Sequence, residues 1–515
     1  MDEQIRKYER TLRILEEQRR GQVGALVKLK RARNSLLDVF KLPPEVLGNI
    51  FRWNVSLEGD FGGLEKESHN FLYVCHHWSE VASRTPEVWS FLGNTLQDWA
   101  RWCRRSETAP LDLVLDGYEC YGASFDTTLL ILLQDRVTTD TIRRVHLRTE
   151  DSGLLNSIIY SLTSQSGGIR SSSMESFVLV NWDEPAVDVS DFFAHYHFSK
   201  LRRLELTNCT ISPRDHLISR TVTLTTLELD LSDPGPNPTT SQLLSILASN
   251  PILRALTLRG CAIPDDDGDE TSFRVPLHHL NKLELVGNPR VVIRLLNQLD
   301  YPRNMEHLWL TLHDCEVAEI SQTIGPWFRD YLQGRGRAQN GLGLLLSSYF
   351  SITLRAGDAY GDDQMLEPMD AFVAVTLDLD DALPSSAEEN AILDLIACAP
   401  QEEVVYFRKS CNLVAMEKIY NRFPNLRTLS FETIPLSAVF PGPNQGVDEG
   451  ILLSLQSVLL ENLALDNGDW SPLTTFLSRR ASSGNRLNAL KIIGSPHMRP
   501  EVIEDIRGMV NVLSV

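Results

Sequence analysis

Leu204-Glu-Leu-Thr-Asn-Cys-Thr-Ile211 decides the fold of most of this chain, because its pattern recurs. Leu256-Thr-Leu-Arg-Gly-Cys-Ala-Ile263 and Leu310-Thr-Leu-His-Asp-Cys-Glu-Val317 keep its spacing, and Leu283-Glu-Leu-Val-Gly-Asn288 is a fourth copy. Cys261, Asn288 and Cys315 follow one another at intervals of 27 residues. Two leucines separated by one residue point to the same side of an extended strand. The Cys or Asn at the following turn fits tightly, and Asn can hydrogen-bond exposed backbone. The expected repeat core is Leu204, Leu206, Cys209, Leu256, Leu258, Cys261, Leu283, Leu285, Asn288, Leu310, Leu312 and Cys315.

Similar apolar pairs extend in both directions. They begin with Leu113/Leu115, Val145/Leu147 and Phe177/Leu179, pass through Leu227/Leu229, and resume at Ile352/Leu354, Val375/Leu377 and Val405/Phe407. Leu429/Phe431, Val458/Leu460 and Leu490/Ile492 complete the series, and its fourteen starts from 113 to 490 average 29 residues apart. The segments between read as return helices, at Ser241–Asn250, Val291–Leu299, Glu388–Cys398, Val414–Phe423 and Ser471–Arg480. Ser471-Pro472 supplies a cap and first turn. The 42-residue step from 310 to 352 holds two Gly-rich runs and predicts an insertion at about 318–350, with an extra hairpin.

This pattern resembles the leucine-rich repeat, L-x-L-x-x-[N/C]-x-L. The resemblance implies strand–helix units stacked in parallel as a curved solenoid. The fold class expected is α/β. Such a concave face suits a protein or peptide, recognised through variable positions between the leucines such as Arg203, Glu205 and Glu228.

At 515 residues the chain suggests about three domains or one elongated repeat array. Its net charge of −19 disfavours non-specific binding to nucleic acid or anionic membranes. No apolar run approaches the ~18 residues that span a bilayer. The charged N-terminus is unlike a signal peptide. Eight cysteines form no C-x-x-C pair, which predicts free thiols in the cytoplasm or nucleus.

The charge is uneven. Residues 1–41 carry eleven Lys/Arg against six Asp/Glu, a net of +5 that leaves −24 for the rest. Ile5, Tyr8, Leu12, Leu15, Leu26, Leu29 and Leu36 alternate three and four apart, as in a heptad seam interrupted at Arg19, Gln22 and Arg33. Gly21 and Gly24 predict two amphipathic pieces with a soft joint. This arm, 1–40, either self-associates through residues 1–38 or lies solvated on the body. Lys28–Arg33 resembles a nuclear localisation signal, a pattern common on exposed helices.

Lys41-Leu-Pro-Pro-Glu-Val-Leu-Gly-Asn-Ile-Phe51 follows. Proline in the first turn and an acid at the positive dipole end start a helix, with Val46, Leu47, Ile50 and Phe51 sharing a face. A polar stretch over 55–69 leads to a second helix, Phe71–Ser83, with Phe71, Val74, Cys75, Trp78, Val81 and Ala82 on its apolar face. Thr85-Pro86 caps a third turn carrying Val88, Trp89 and Phe91. So small a module, 41–92, needs other surfaces to pack on.

The order L-P-P-E-V-L-x-x-I-F, V-C-x-x-W-x-x-V-A and T-P-x-V-W-S resembles an F-box of the F-box-like type abundant in fungi. Trp99 and Trp102 on a linker helix within 93–110, then Arg105-Ser106-x-x-x-Pro110-Leu111-x-Leu113, continue the likeness into the repeats of 111–515. The resemblance implies docking on a Skp-type adaptor and, through it, on a cullin–RING ubiquitin ligase. By the same resemblance the adaptor-binding residues are Leu42, Pro43, Pro44, Val46, Leu47, Ile50, Phe51, Val74, Trp78 and Trp89, shared with the packing of the box itself.

No nucleophile elbow, phosphate loop, H-E-x-x-H or dinucleotide fingerprint is present. Cys75-His76-His77 lacks a second ligand pair, His195 and His197 share a strand face without a third ligand, and Asp265–Glu270 lacks calcium-loop order. No catalytic residue, metal or cofactor is expected. The expected function is a non-catalytic substrate receptor of a ubiquitin ligase; the alternatives are a repeat-based interaction scaffold without ligase recruitment, and an enzyme sited in the repeats.

Overall fold

A computed structural model describes residues 2–57, 70–92, 99–116, 141–163, 170–171, 173–211, 223–230, 238–260, 274–303, 305–313, 320–334, 342–346, 351–356, 372–377, 404–409, 426–432, 435–440, 454–462, 469–494 and 498–514. Cys261, Ile263, Cys315, Val317, the acidic run 265–270, the polar stretch 58–69 and the expected helices at 388–398 and 414–423 lie outside these residues. The chain is α/β, with helices and mostly parallel strands, in two compact units: Met1–Pro185 with His195–Leu201, and Ala186–Ala194 with Arg202–Val515.

In the first unit, helix α1 spans Asp2–Ser35 without a break at Gly21 or Gly24. A mid-helix glycine costs ~1 kcal/mol against alanine but removes no hydrogen bond, so the surrounding Leu, Arg, Glu and Lys carry the helix through. Helices α2 (Pro44–Leu57), α3 (Phe71–Val74) and α4 (His76–Ser83) follow, then a 3-10 turn Pro86–Trp89 and α5 (Trp99–Arg105). The single helix expected over 71–83 divides at Cys75, whose backbone is extended (φ −165°, ψ 169°). Its Sγ accepts the Trp78 N–H at 3.4 Å, making Cys75 a cap and not a member of a continuous helix face.

Strands β1 (Phe91–Leu92), β2 (Leu111–Asp116), β3 (Ile142–Thr149) and β4 (Ser176–Asn181) pair in parallel in that order. Leu113, Val145 and Phe177 stand in one row and Leu115, Leu147 and Leu179 in the next, all buried. His195 closes a helix, Ser190–His195, while His197 belongs to a two-residue strand. The two do not share the strand face their spacing suggested.

The second unit continues this logic. Strands β5 (Arg203–Thr207), β6 (Thr226–Asp230), β7 (Ala255–Arg259), β8 (Lys282–Gly287) and β9 (His307–Leu312) are parallel neighbours. Leu204, Leu227, Leu256 and Leu283 align, as do Leu206, Leu229, Leu258 and Leu285. At β9 the register departs from the sequence repeat: Leu283 meets Leu308 and Leu285 meets Leu310, so Leu312 lies opposite Gly287. The Leu310/Leu312 copy is therefore offset by two residues, and His313, not Cys315, corresponds to Asn288.

Beyond β9 the order is no longer that of the chain. Strands β10 (Leu342–Leu346), β11 (Ser351–Ala356) and β12 (Phe372–Leu377) form antiparallel neighbours, with β12 beside β9 and β10 beside β13 (Val404–Lys409). The extra hairpin is thus present, but Ile352 and Leu354 belong to it and not to a regular parallel repeat. Strands β14 (Thr428–Glu432), β15 (Ser457–Glu461), β16 (Leu487–Ile493) and β17 (Val510–Ser514) complete the parallel series, the last one unforeseen from the pair pattern.

The turns after the strands carry a second regularity. Asn208, Gly260, Asn462 and Gly494 each lie two residues past an inward residue and have φ of 51°, 63°, 46° and 63°. This left-handed backbone is tolerated by Asn and Gly and by few others. A Cβ at Gly494 would also crowd the side-chain amide oxygen of Asn462, which would have to move. Return helices cover the sheet where expected: Thr240–Ala248 opens on a Thr239/Gln242 capping box, and Pro289–Gln298 opens on Asn288, whose side chain accepts the Arg290 N–H at 3.0 Å. Buried Asn250 ties the first of these to its strand, accepting the Leu224 N–H at 3.1 Å and donating to the Ile246 carbonyl at 2.9 Å.

Candidate functional site

Two surfaces, one in each unit, stand out by their exposed apolar or charged side chains. The first is on α2. Pro43 lends its carbonyl to the N–H groups of Val46 and Leu47 at 3.0 and 3.1 Å, and Pro44 begins the helix where a missing N–H costs nothing. Leu47, Phe51 and Val55, spaced by four, point into a core with Phe71, Val81, Ala82, Val88 and Trp89. Phe51 stacks on Phe71 at 4.5 Å and meets Trp78 at 5.3 Å. Gly48 brings α2 against Thr85, whose Oγ1 would lie 3.0 Å from an added Cβ.

The helix has a second apolar stripe. Val46, Ile50 and Trp53 are 42%, 46% and 60% exposed, on the side turned away from that core. Val46, Leu47, Ile50 and Phe51 therefore do not share one face, because neighbours in a helix are 100° apart and the core takes only Leu47 and Phe51. The remaining residues expected at the adaptor interface divide in the same way. Trp89 is buried, Leu42 and Trp78 are half-buried, and Pro43, Pro44 and Val74 are exposed, with Tyr73 beside Val74 at 86% exposure.

Trp89 anchors the module. Its Nε1–H donates to the Ala82 carbonyl at 2.7 Å, its ring meets Trp102 edge-on at 4.8 Å, and the Arg105 guanidinium lies 4.2 Å above it. His77 is half-buried with its ring 5.8 Å from Phe40, while His76 is exposed. Among the described residues, no three His, Cys, Asp or Glu side chains are grouped to hold a metal ion.

The second surface is the strand face opposite the leucines. Along one row the ladder sets Glu205, Glu228, Thr257, Glu284 and Trp309 side by side. Arg259, one step further along its strand, bridges Glu228 at 3.1 Å and Glu284 at 3.0 Å, while Arg203 pairs with Glu205 at 2.9 Å and Lys282 with Glu284 at 3.4 Å. Burial works against the Arg259 charge, but Glu284 and then Glu228 outweigh it and hold its pKa above the ordinary value. Trp309 is 42% exposed, its Nε1–H donating to Thr311 Oγ1 at 3.1 Å. The face combines charges of both signs with an aromatic platform, suited to polar peptide recognition. Cys209 is no nucleophile here, since burial pushes its thiol far above the ordinary range.

Burial, reinforced by Glu205 and opposed by Arg259, raises the Glu228 carboxyl pKa. An acid that holds its proton more tightly when folded gains folded-state stability as pH falls; its charge costs stability as pH rises through the carboxylate range. Glu228→Gln is therefore expected to raise the thermal midpoint near pH 7.5 and to change it less near pH 4, where the native acid is increasingly protonated. Melting curves at the two pH values test this; a lower midpoint near neutrality would mean that the Arg259 pair outweighs burial.

The described repeat-core residues Leu204, Leu206, Leu256, Leu258, Leu283, Leu285, Leu310 and Leu312 are all buried with Cys209, whereas Asn288 is an exposed helix cap. The apolar stripe of α2 was hidden in the sequence by its adjacency to the core positions, and Trp309 by its place between two leucines. Among the described residues, no helix is long and apolar enough to cross a membrane. No protein-family model matches the chain, and no curated protein matches it.

Proposed function

We propose that this chain is a non-catalytic substrate receptor, in which the F-box-like module docks on a Skp-type adaptor and a leucine-rich-repeat solenoid holds a protein for a cullin–RING ubiquitin ligase. The observation that supports docking is the second apolar stripe of α2: Leu47, Phe51 and Val55 already supply the core, and Val46, Ile50 and Trp53 remain exposed. A helix that only closed its own module would need one stripe. The charged strand face around Arg259 and Trp309 supports peptide recognition by the repeats. The chain makes no bond itself; it raises the effective concentration of substrate lysines near a charged conjugating enzyme.

Capture by a purified Skp-type adaptor tests the reading. Ile50→Asp is expected to weaken capture by about tenfold or more, with the far-UV spectrum unchanged, because it charges the exposed stripe and leaves the core intact. Leu47 is unsuitable for this purpose, being fully buried. If the native chain captures no adaptor, or Ile50→Asp captures it equally well, the receptor reading fails and a scaffold without ligase recruitment replaces it.

A further inference from the structure

We propose that α1 is one half of an antiparallel two-helix coiled coil formed with a second copy of this chain. Every α1 residue of described burial up to Arg33 is exposed, including Tyr8 at 72%, Leu12 at 60% and Leu29 at 69%. An apolar seam of this length in water needs a partner, and the order of residues along it specifies which.

The seam places residues 5, 12, 19, 26 and 33 at one core position of the heptad and 8, 15, 22, 29 and 36 at the other. In an antiparallel pair the first set meets the second. One register then matches the apolar layers of the helix: Leu12 faces Leu29 of the second copy and Leu15 faces Leu26. The interruptions are matched as well. Arg19 faces Gln22 across the two-fold axis, and Arg33 faces the ring of Tyr8. Beside the core, Glu9 comes next to Lys30 of the second copy.

The parallel alternative sets Arg19 on Arg19 and Arg33 on Arg33, like charges in a desolvated core. It also aligns the two segments 21–35, each with four Lys/Arg and no acid, whereas residues 2–20 carry five acids among six bases. The antiparallel arrangement sets the purely basic segment against the mixed one and opposes the helix dipoles. The 34-residue helix is about 51 Å long, so the two modules that follow α1 stand at opposite ends of the pair. This inference rests on α1 alone and is independent of adaptor docking.

Sedimentation equilibrium of the full chain at about 10 µM is expected to give twice the 58.1 kDa chain mass. Leu15→Glu combined with Leu26→Glu, which charges two facing layers, is expected to raise the dissociation constant about 100-fold. Orientation is read by mixing isotope-labelled Leu12→Cys chain with unlabelled Leu29→Cys chain under mild oxidation. Peptide mass spectrometry should find the 12–29 disulfide between differently labelled chains. A monomer at this concentration, an unchanged dimer in the double Glu variant, or a predominance of 12–12 disulfides overturns the proposal.

Discussion

Trp89→Ala is expected to destabilise the N-terminal module by about 3–5 kcal/mol, the largest effect of any single substitution considered for it. The side chain is 2% exposed, and its removal opens a cavity between Val88, Ala82 and Trp102 that short helices have little means to refill. The stacked Arg105 and the edge-on Trp102 lose their partner at the same time. The hydrogen bond contributes less. Ala82 keeps the N–H of Thr85 at 3.2 Å when the indole is gone, so its carbonyl is not orphaned. Trp89→Phe, which retains most of the volume, should therefore cost only about 1–2 kcal/mol. Because a chain of two units need not unfold in one step, hydrogen exchange of the α2 and α4 amides is the measurement. Protection equal to the native level in Trp89→Ala would show that the module is held by something other than its own core. Under the proposed receptor function, lost protection also predicts lost adaptor capture, which Ile50→Asp should weaken without loss of protection; the pair separates folding from docking.

Leu285→Ala is expected to cost about 2–5 kcal/mol, against less than about 1 kcal/mol for its neighbour Glu284→Gln. The two residues are adjacent on β8 and point to opposite faces. Leu285 has no exposed surface and stands between Leu258 and Leu310, equally buried, with helix Pro289–Gln298 following its strand. Neighbours on the ladder share the row, so the sheet cannot close over the missing methyls without shifting strands. Glu284 instead pairs with Arg259 and Lys282, side chains 39% and 46% exposed, where water competes for both charges. Exchange of the β7, β8 and β9 amides reads the difference; equal effects of the two substitutions would contradict the assignment of the leucine face as the core.

Strand positions were legible because alternation has a period of two, and only extended backbone puts Leu204 and Leu206, or Val458 and Leu460, on one side. All fourteen apolar pairs lie on strands. The helix start at Pro44 was legible from first-turn chemistry. Ser471, by contrast, is the first helical residue and not the expected cap, a place that Trp470 takes without a side-chain bond. Asn288, expected in the repeat core, caps a helix that begins two residues before Val291. The turn signal at Asn208, Gly260, Asn462 and Gly494 was present too, two residues past each strand's inward residue, and at the first two it was obscured by the Cys that follows.

The amino-acid order by itself thus determined the α/β class, the strand segments and the exposed seam of α1, since each follows from periodicity or local preference. Tertiary structure alone decided which strands are neighbours and which side of α2 is the core. Shifting Leu310 by two residues against Leu285 keeps every side chain on its face, so an apolar pattern of period two is silent about the offset. The hairpin β10–β11 enters between β12 and β13 through hydrogen bonds between strands distant in sequence, which no local pattern encodes. On α2, Leu47 and Ile50 are both apolar. Only the packing of Phe71, Val81 and Trp89 against the helix selects Leu47 for the core and leaves Ile50 at the surface.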